Sequence, residues 1–317
     1  MVGCGARMLS RIWVIALNTY REAVRARLLL GVFACALATG GYAVVVGALS
    51  LNNDLRVVAD LGSASLSFYG VLIAIVLGST SLHRELEYKT VFPILSRPLR
   101  RWEYLVGKYI GTMLTVGVFV LVQASATLAI LALEGGESGW TLGVAIGGML
   151  AVLGGLLVSA RRVRVFAVIP WAPALAVVAW LVAAPAGGER QVVAASAALA
   201  ICEVGIVGAV ATLFASFSSP FLTAAFTTMV FVIGRSAYML GHLPDHVFGP
   251  AVVATGRILA RIFPNLNAYV PARPLLLGVV EGHPVWPYVG WAALNAVCYA
   301  SALLVVGSIA FQRRDFA

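Results

Sequence analysis

The sequence predicts an all-α polytopic membrane protein, a helical bundle of about eight transmembrane helices. Hydrophobic residues make up 61% of the 317-residue chain and charged residues only 11%, with a mean hydropathy of +0.95. A soluble protein of this length carries about a quarter charged residues. The apolar residues also fall in runs of about 20, the length that crosses the hydrocarbon as a helix, and not in the short alternating segments of a β-barrel.

Eight runs are long and apolar enough to be spans. They are Leu28 to Leu49, Ala64 to Leu82, Tyr109 to Leu133, Trp140 to Ser159, Val165 to Ala184, Val192 to Phe217, Phe221 to Leu240, and Trp286 to Phe311. Small residues four apart, such as Gly143 and Gly147 or Gly111 and Thr115, predict faces on which helices approach closely in lipid.

The positive charges lie between the apolar runs and indicate topology. With the N-terminus inside, the cytoplasmic segments hold sixteen Lys and Arg and the external segments five. This places both termini in the cytoplasm. No basic face interleaved with aromatic residues appears, so the net charge of +9 does not indicate nucleic-acid binding.

The pair of spans within residues 140–184 is interrupted by glycines and prolines, which leaves six spans as the alternative to eight. Arg161, Arg162 and Arg164 lie between the two members. A hairpin that entered the bilayer without crossing it would hold these side chains at bilayer depth. The free-energy cost would be about 2.5 to 3.5 kcal/mol for each arginine. Both members therefore cross, or neither enters.

Residues 1–27 form an amphipathic segment before the first span. Arg7, Arg11, Arg21 and Arg25 recur at roughly helical spacing, and apolar residues fill the other face. The pattern predicts a helix lying at the membrane interface. The alternative is a helix that extends the first span into the cytoplasm.

Residues 83–108 form the longest charged stretch and predict a structured cytoplasmic loop. Glu85 and Glu87 suit a short helix that emerges from the membrane, and Pro98 favours a turn because it restricts the residue before it. Arginines and aromatics then mark the return to the interface. The alternative is a plain loop whose positive charge only fixes orientation.

Residues 242–285 are too long for a tight turn and too apolar for a solvated loop. They predict an external segment that lies on or dips into the outer leaflet. Pro250 can begin a helix that places Arg257 and Arg261 on one face.

Glu203 and Arg235 are two ionisable residues within predicted spans. Counted from the turn near Ser218, their depths differ by about 3 Å. Because lone charges at this depth are costly, they predict an interhelical ion pair or a polar point on a translocation path. The alternative is that Arg235 reaches the outer headgroups and Glu203 is protonated or meets a hydroxyl group.

The sequence supports no catalytic, cofactor-binding or metal residue. His242 and His246 are four apart with Asp245 between them, but Pro244 argues against a shared helix. Neither HExxH nor GxSxG occurs, and Gly107 and Lys108 lack the flanking residues of a phosphate-binding loop.

Five segments together resemble the membrane subunit of type-2 ATP-binding-cassette (ABC) transporters, the ABC-2 permease family. They are LNTYREAVRARLLL, HRELEYKTVFPILSRPLRRWEYLVGKYIG, EVGIVGAVATLFASFSSPFLTAAF, FPNLNAYVP and QRRDF. The resemblance covers most of the chain, and the second segment is the most specific.

The resemblance implies that residues 83–108 form a coupling loop that seats in a separate ATPase subunit. That role falls on Glu85, Glu87, Thr90, Leu95, Ser96, Arg97, Pro98, Arg101, Glu103, Tyr104, Gly107 and Lys108. Lys89 departs from the family, which often has a small residue there. Members commonly have six spans, so residues 140–184 resemble an inserted helix pair, and residues 242–285 correspond to an external re-entrant region.

The resemblance further implies an exporter of hydrophobic or amphipathic molecules in a prokaryotic cytoplasmic (inner) membrane. This chain would need no cofactor, because ATP and magnesium would bind to the partner ATPase. A second permease subunit, identical or not, and possible accessory subunits complete the expected assembly. The rival hypothesis is an integral membrane enzyme or a non-transporting scaffold that uses His83, His242, His246 and Asp245.

Overall fold

The computed structural model describes residues 2–50, 53–87, 100–159, 164–279 and 284–312. Their regular elements are all helical. The α-helices are α1 (Val2–Val24), α2 (Arg27–Ala48), α3 (Asp54–Glu87), α4 (Arg101–Glu134), α5 (Gly139–Ser159), α6 (Val168–Val182), α7 (Gly188–Ala215), α8 (Pro220–Gly241), α9 (Asp245–Ile262), α10 (Arg273–Leu276) and α11 (Val285–Gln312). Short 3₁₀ turns occupy Arg164–Ala167, Ala184–Ala186 and Leu266–Tyr269.

Eight helices within the described residues are long and apolar enough to cross a membrane, which confirms the predicted helical bundle. They are α2 to α8 and α11, so both members of the pair within residues 140–184 are among them. The predicted second span began at Ala64, whereas α3 begins at Asp54. The ten added residues include charged side chains, which a search for apolar runs omits although they continue the same helix.

Helix α7 lies at the centre of the bundle and packs against α3, α4, α8 and α11. Small residues bring its neighbours close. A Cβ added at Gly78 of α3 would lie 2.5 Å from Cβ of Ala211 on α7. Likewise, one added at Gly62 of α3 would lie 2.3 Å from the Thr127 methyl group of α4. The core is therefore built by close helix approach, as expected in lipid.

Two of the small-residue pairs named from the sequence have different surroundings. Gly111 of α4 packs against α1, as the prediction of a packing face requires. Gly143 and Gly147 of α5 instead have no atom of another described part of the chain within 4 Å of an added Cβ. The predicted packing face of these two glycines therefore has no partner helix among the described residues. Helix α5 contacts little beyond α6 and lies at the edge of the bundle.

Helix α1 is separate from the first span. Ala26 has an extended backbone (φ −70°, ψ 122°) between α1 and α2, so the two do not form one continuous helix. The apolar face of α1 buries Ile12, Ala16 and Tyr20. Burial raises the pKa of Tyr20 to about 12. That face packs on the first turns of α4. A location in the membrane interface remains a prediction.

The segment before the last span folds as α9, a 3₁₀ turn and the short α10. Gly249 has a positive φ of 64°, which places a kink directly before Pro250. A helical piece therefore starts near that proline, where the sequence predicted one. His242 follows the end of α8, and the extended Pro244 precedes α9, so His242 and Asp245 lie on separate elements.

Candidate functional site

The start of α4 is held by Glu103. Its carboxylate Oε2 accepts a hydrogen bond from the backbone N–H of Arg100 at 3.3 Å, which caps the helix. The same oxygen lies 4.0 Å from Nη1 of Arg11 on α1. Glu103 is buried, so it fastens the returning end of the predicted coupling loop to the N-terminal helix.

Lys108 connects three helices one turn further along. Its Nζ donates to the backbone carbonyl of Ser81, near the C-terminal end of α3, at 3.2 Å. Ser81 lies six residues before the last residue of α3, so Lys108 joins α4 to the last two turns of that helix. The Nζ also lies 3.9 Å from the Glu22 carboxylate of α1 and 5.9 Å from the centre of the Tyr104 ring. Lys108 is only 3% exposed.

Glycines allow α1 to lie directly against α4. A Cβ added at Gly107 would lie 2.8 Å from Cβ of Ile15, and one added at Gly111 would lie 2.5 Å from the carbonyl oxygen of Ala16. The second obstacle is backbone and cannot rotate away. Both positions therefore require glycine for the observed helix contact.

The end of α11 meets the same region. Arg101 donates from Nη1 to the carbonyl oxygens of Gln312 and Phe311, at 3.0 and 3.3 Å, and so caps that helix. The rings of Tyr104 and Phe311 stack with their centres 6.4 Å apart. Helices α1, α3, α4 and α11 thus meet at one end of the bundle. We call this contact region, built by Arg101, Glu103, Tyr104, Gly107 and Lys108, the α4 brace.

The α4 brace contains five of the residues assigned to the coupling loop. The described contacts that they make beyond α4 are with α1, α3 and α11 of this chain. Glu85 and Glu87 lie in the last turns of α3, where side chains are not described. Thr90, Leu95, Ser96, Arg97 and Pro98 lie outside the described residues. Seating of the loop in an ATPase therefore stays a prediction, and the brace residues would position the loop.

A second polar site lies within the bundle, where the sequence predicted an ion pair. Arg235 of α8 places Nε 3.5 Å from Oε1 of Glu203 on α7. Ser67 of α3 joins them: its hydroxyl donates to Glu203 Oε2 at 2.6 Å and accepts from Arg235 Nη2 at 2.8 Å. Glu203 is fully buried, and the Arg235 side chain is 27% exposed.

This arrangement, the Ser67–Glu203–Arg235 triad, ties three helices together and gives the buried carboxylate a counter-charge. The sequence pattern did not indicate Ser67. A nearby second link was missed as well: Gln123 of α4 donates to Ser65 of α3 at 2.8 Å. The signal available was a series of three serines, each two residues from the next, in a largely apolar run of α3: Ser63, Ser65 and Ser67.

The opposite end of the bundle carries an ionic cluster that the sequence did not indicate. Arg273 of α10 pairs with Asp60 of α3 and Glu189 of α7. Nearby, the hydroxyl of Tyr269 donates to Oδ1 of Asn295 on α11 at 3.1 Å. Burial raises the pKa of Tyr269 to about 12, so it stays a neutral donor at physiological pH. These contacts hold the segment before the last span against the bundle.

The described residues contain no group of three His, Cys, Asp or Glu side chains that could hold a metal ion. Nδ1 of His242 lies 2.9 Å from the carbonyl oxygen of Tyr238, one turn earlier on α8. The side chains of Asp245 and His246 are not described.

The sequence model of the ABC-2 family transporter proteins matches residues 13–316, nearly the whole chain. The "Probable ABC transporter permease protein NosY" of Stutzerimonas stutzeri is 32% identical over 146 residues, which cover 43% of this chain and 52% of that protein. The matched part thus spans about half the length of this relative.

Proposed function

We propose, because the chain belongs to the ABC-2 family of transporter proteins, that it is the membrane permease subunit of an ABC transporter. The family match over residues 13–316 is the observation that carries this proposal. The relative named as a probable permease supports it. In this proposal a separate ATPase subunit binds ATP and magnesium, and this chain supplies the path through the membrane.

The α4 brace supports a mechanical role for the predicted coupling loop. The loop connects the end of α3 to the start of α4, and both ends meet at Lys108 through its bond to the Ser81 carbonyl. Because Glu103 contacts α1 and Arg101 contacts α11, a push on the loop reaches four helices together. Closure of the ATPases would thus move a connected group of helices instead of a single hairpin.

The finer assignment is an exporter of hydrophobic or amphipathic molecules that works in a prokaryotic inner membrane. Two permease subunits would form the path between them, with the coupling loops on the cytoplasmic side. The Ser67–Glu203–Arg235 triad joins α3, which the loop would push, to α7 and α8. Motion of α3 would therefore be passed on to these two helices or would break the triad.

Co-purification with an ATPase tests the proposal. The partner to use is the product of a neighbouring reading frame that carries GxxxxGK[ST]. Arg97→Glu reverses charge in the predicted loop, and we expect it to abolish co-purification. Arg56→Glu is the control, because Arg56 pairs with Asp60 at the opposite end of the bundle. Retention of the complex by Arg97→Glu at the level of this control would contradict the assignment of the docking loop.

A further inference from the structure

An apolar crevice of about 380 Å³ lies between α4, α6, α7 and the start of α11. Its walls carry no charged side chain and include Leu128, Ala176, Trp180, Ala197 and Trp286. Val177 and Trp286 are each more than half exposed, so the crevice opens on the outer surface of the bundle. In a membrane this surface faces lipid.

One cation among the described residues, Arg190, continues the lining of the crevice at one end. Arg190 lies one helical turn before Ala194 on α7, and residues four apart share a helix face. Its guanidinium carbon lies 4.3 Å from the centre of the Trp180 ring, which itself lines the crevice. Nη1 also donates to the Trp180 carbonyl oxygen at 3.5 Å. Arg190 is thereby fixed at the crevice end.

The charge of Arg190 has no carboxylate partner among the described residues. Its neighbour Glu189 pairs with Arg273, which leaves the Arg190 guanidinium with an aromatic ring and a carbonyl oxygen. The position is at the end of the bundle that holds the Arg273 cluster, opposite the α4 brace. Trp180 and Trp286 lie at this end as well, as tryptophans do at the level of lipid headgroups.

We propose that the crevice binds one anionic phospholipid, with an acyl chain between α4, α6 and α7 and the phosphate on Arg190. The arrangement fits this ligand, because the apolar crevice lies within the bilayer and Arg190 lies at headgroup level. A neutral hydrophobic molecule would fill the crevice but leave the Arg190 guanidinium without a counter-charge. The site depends on no ATPase, so it goes beyond the proposed transport function.

Native mass spectrometry of the purified full chain incubated with phosphatidylglycerol tests this site, with phosphatidylcholine as the zwitterionic comparison. We expect wild type to retain one phosphatidylglycerol in preference to phosphatidylcholine. Arg190→Gln should lower the retained phosphatidylglycerol about fivefold, the effect of one cation on an anionic lipid. Arg190→Lys, which keeps the charge, should retain most of it. Arg56→Gln is the matched control and should behave as wild type.

A second pair of variants tests whether the lipid occupies the crevice. Ala176→Trp fills the crevice from α6 and should prevent retention, whereas Ala174→Trp lies on the same helix at an exposed position outside the lining and should not. Equal retention by Arg190→Gln and wild type, or by the two tryptophan variants, would overturn the proposal. It would also be overturned if wild type retained phosphatidylcholine as well as it retained phosphatidylglycerol.

Discussion

Glu203 is fully buried, so its charge depends on Arg235 and Ser67. Removal of one member of a buried pair leaves the other charge uncompensated, which costs about 3 to 5 kcal/mol. We expect Glu203→Gln to approach the lower value, because Arg235 is partly exposed and can turn towards headgroups. Thermal unfolding in detergent measures the loss.

The double variant Glu203→Gln/Arg235→Gln tests whether the two residues act as a pair. It should lose less stability than the sum of the single variants. Ser67→Ala should also destabilise the protein. Ser125→Ala is the matched control, since the Ser125 hydroxyl donates to a carbonyl oxygen of its own helix at 2.7 Å. Additive losses in the double variant would show that the observed contact stabilises nothing.

Gly111 allows a second prediction for a single residue. A methyl group at this position meets the Ala16 carbonyl oxygen, which belongs to the α1 backbone. Gly111→Ala should therefore displace α1 and destabilise the protein by about 1 to 3 kcal/mol, as overpacking does. Gly117→Ala on the same helix is the control, because an added Cβ there meets nothing within 4 Å and alanine favours the helix. Equal stability of the two variants in thermal unfolding would contradict the packing argument.

Among the helices, α4 determines how the brace end of the bundle is held. Lys108 is the centre of this contact, since it reaches α1 through Glu22 and α3 through the Ser81 carbonyl. Lys108→Met keeps the apolar stem but removes the hydrogen-bond donor. It should lower the free energy of unfolding by about 1 to 3 kcal/mol. Hydrogen exchange in α1 should therefore become faster.

Arg21→Met is the control for this variant, because Arg21 lies exposed on α1. It removes a cation from α1 itself without touching the α4 brace. If exchange in α1 changed equally in both variants, loss of positive charge and not release of the brace would be the cause.

The elements differ in how far the sequence could predict them. The spans follow from local hydropathy, and Glu203 with Arg235 follows from the cost of charge at depth, which needs no knowledge of contacts. Ser67 and Arg273 could not be found in this way. Each of them bonds to partners more than 80 residues away in sequence, and no spacing or periodicity records such contacts. The apolar face of α1 could be recognised from the sequence, but its contact with α4 could not.

At the scale of the whole molecule, polar contacts hold the bundle at three levels. The α4 brace fixes one end, the Ser67–Glu203–Arg235 triad fixes the interior, and Arg273 fixes the other end. The pair α5 and α6 differs, because α5 is largely exposed and its Gly143 and Gly147 meet no described neighbour. Trp171 of α6 donates to the Met149 carbonyl of α5 at 2.8 Å, so the pair is nevertheless joined. Helix α6 also packs on α4, so the pair is attached to the core through α6.

The topology of this hairpin gives the last prediction. If both members cross, Ser138 before α5 and Arg162 after it lie on opposite sides of the membrane. With the N-terminus inside, as the sequence predicts, both are external if neither member crosses. In a chain whose four cysteines are replaced by serine, Ser138→Cys should react with a membrane-impermeant maleimide in intact cells, and Arg162→Cys should react only after permeabilisation. Labelling of both positions in intact cells would reduce the chain to six spans. It would also place Arg161, Arg162 and Arg164 outside, against the charge asymmetry that the rest of the sequence obeys.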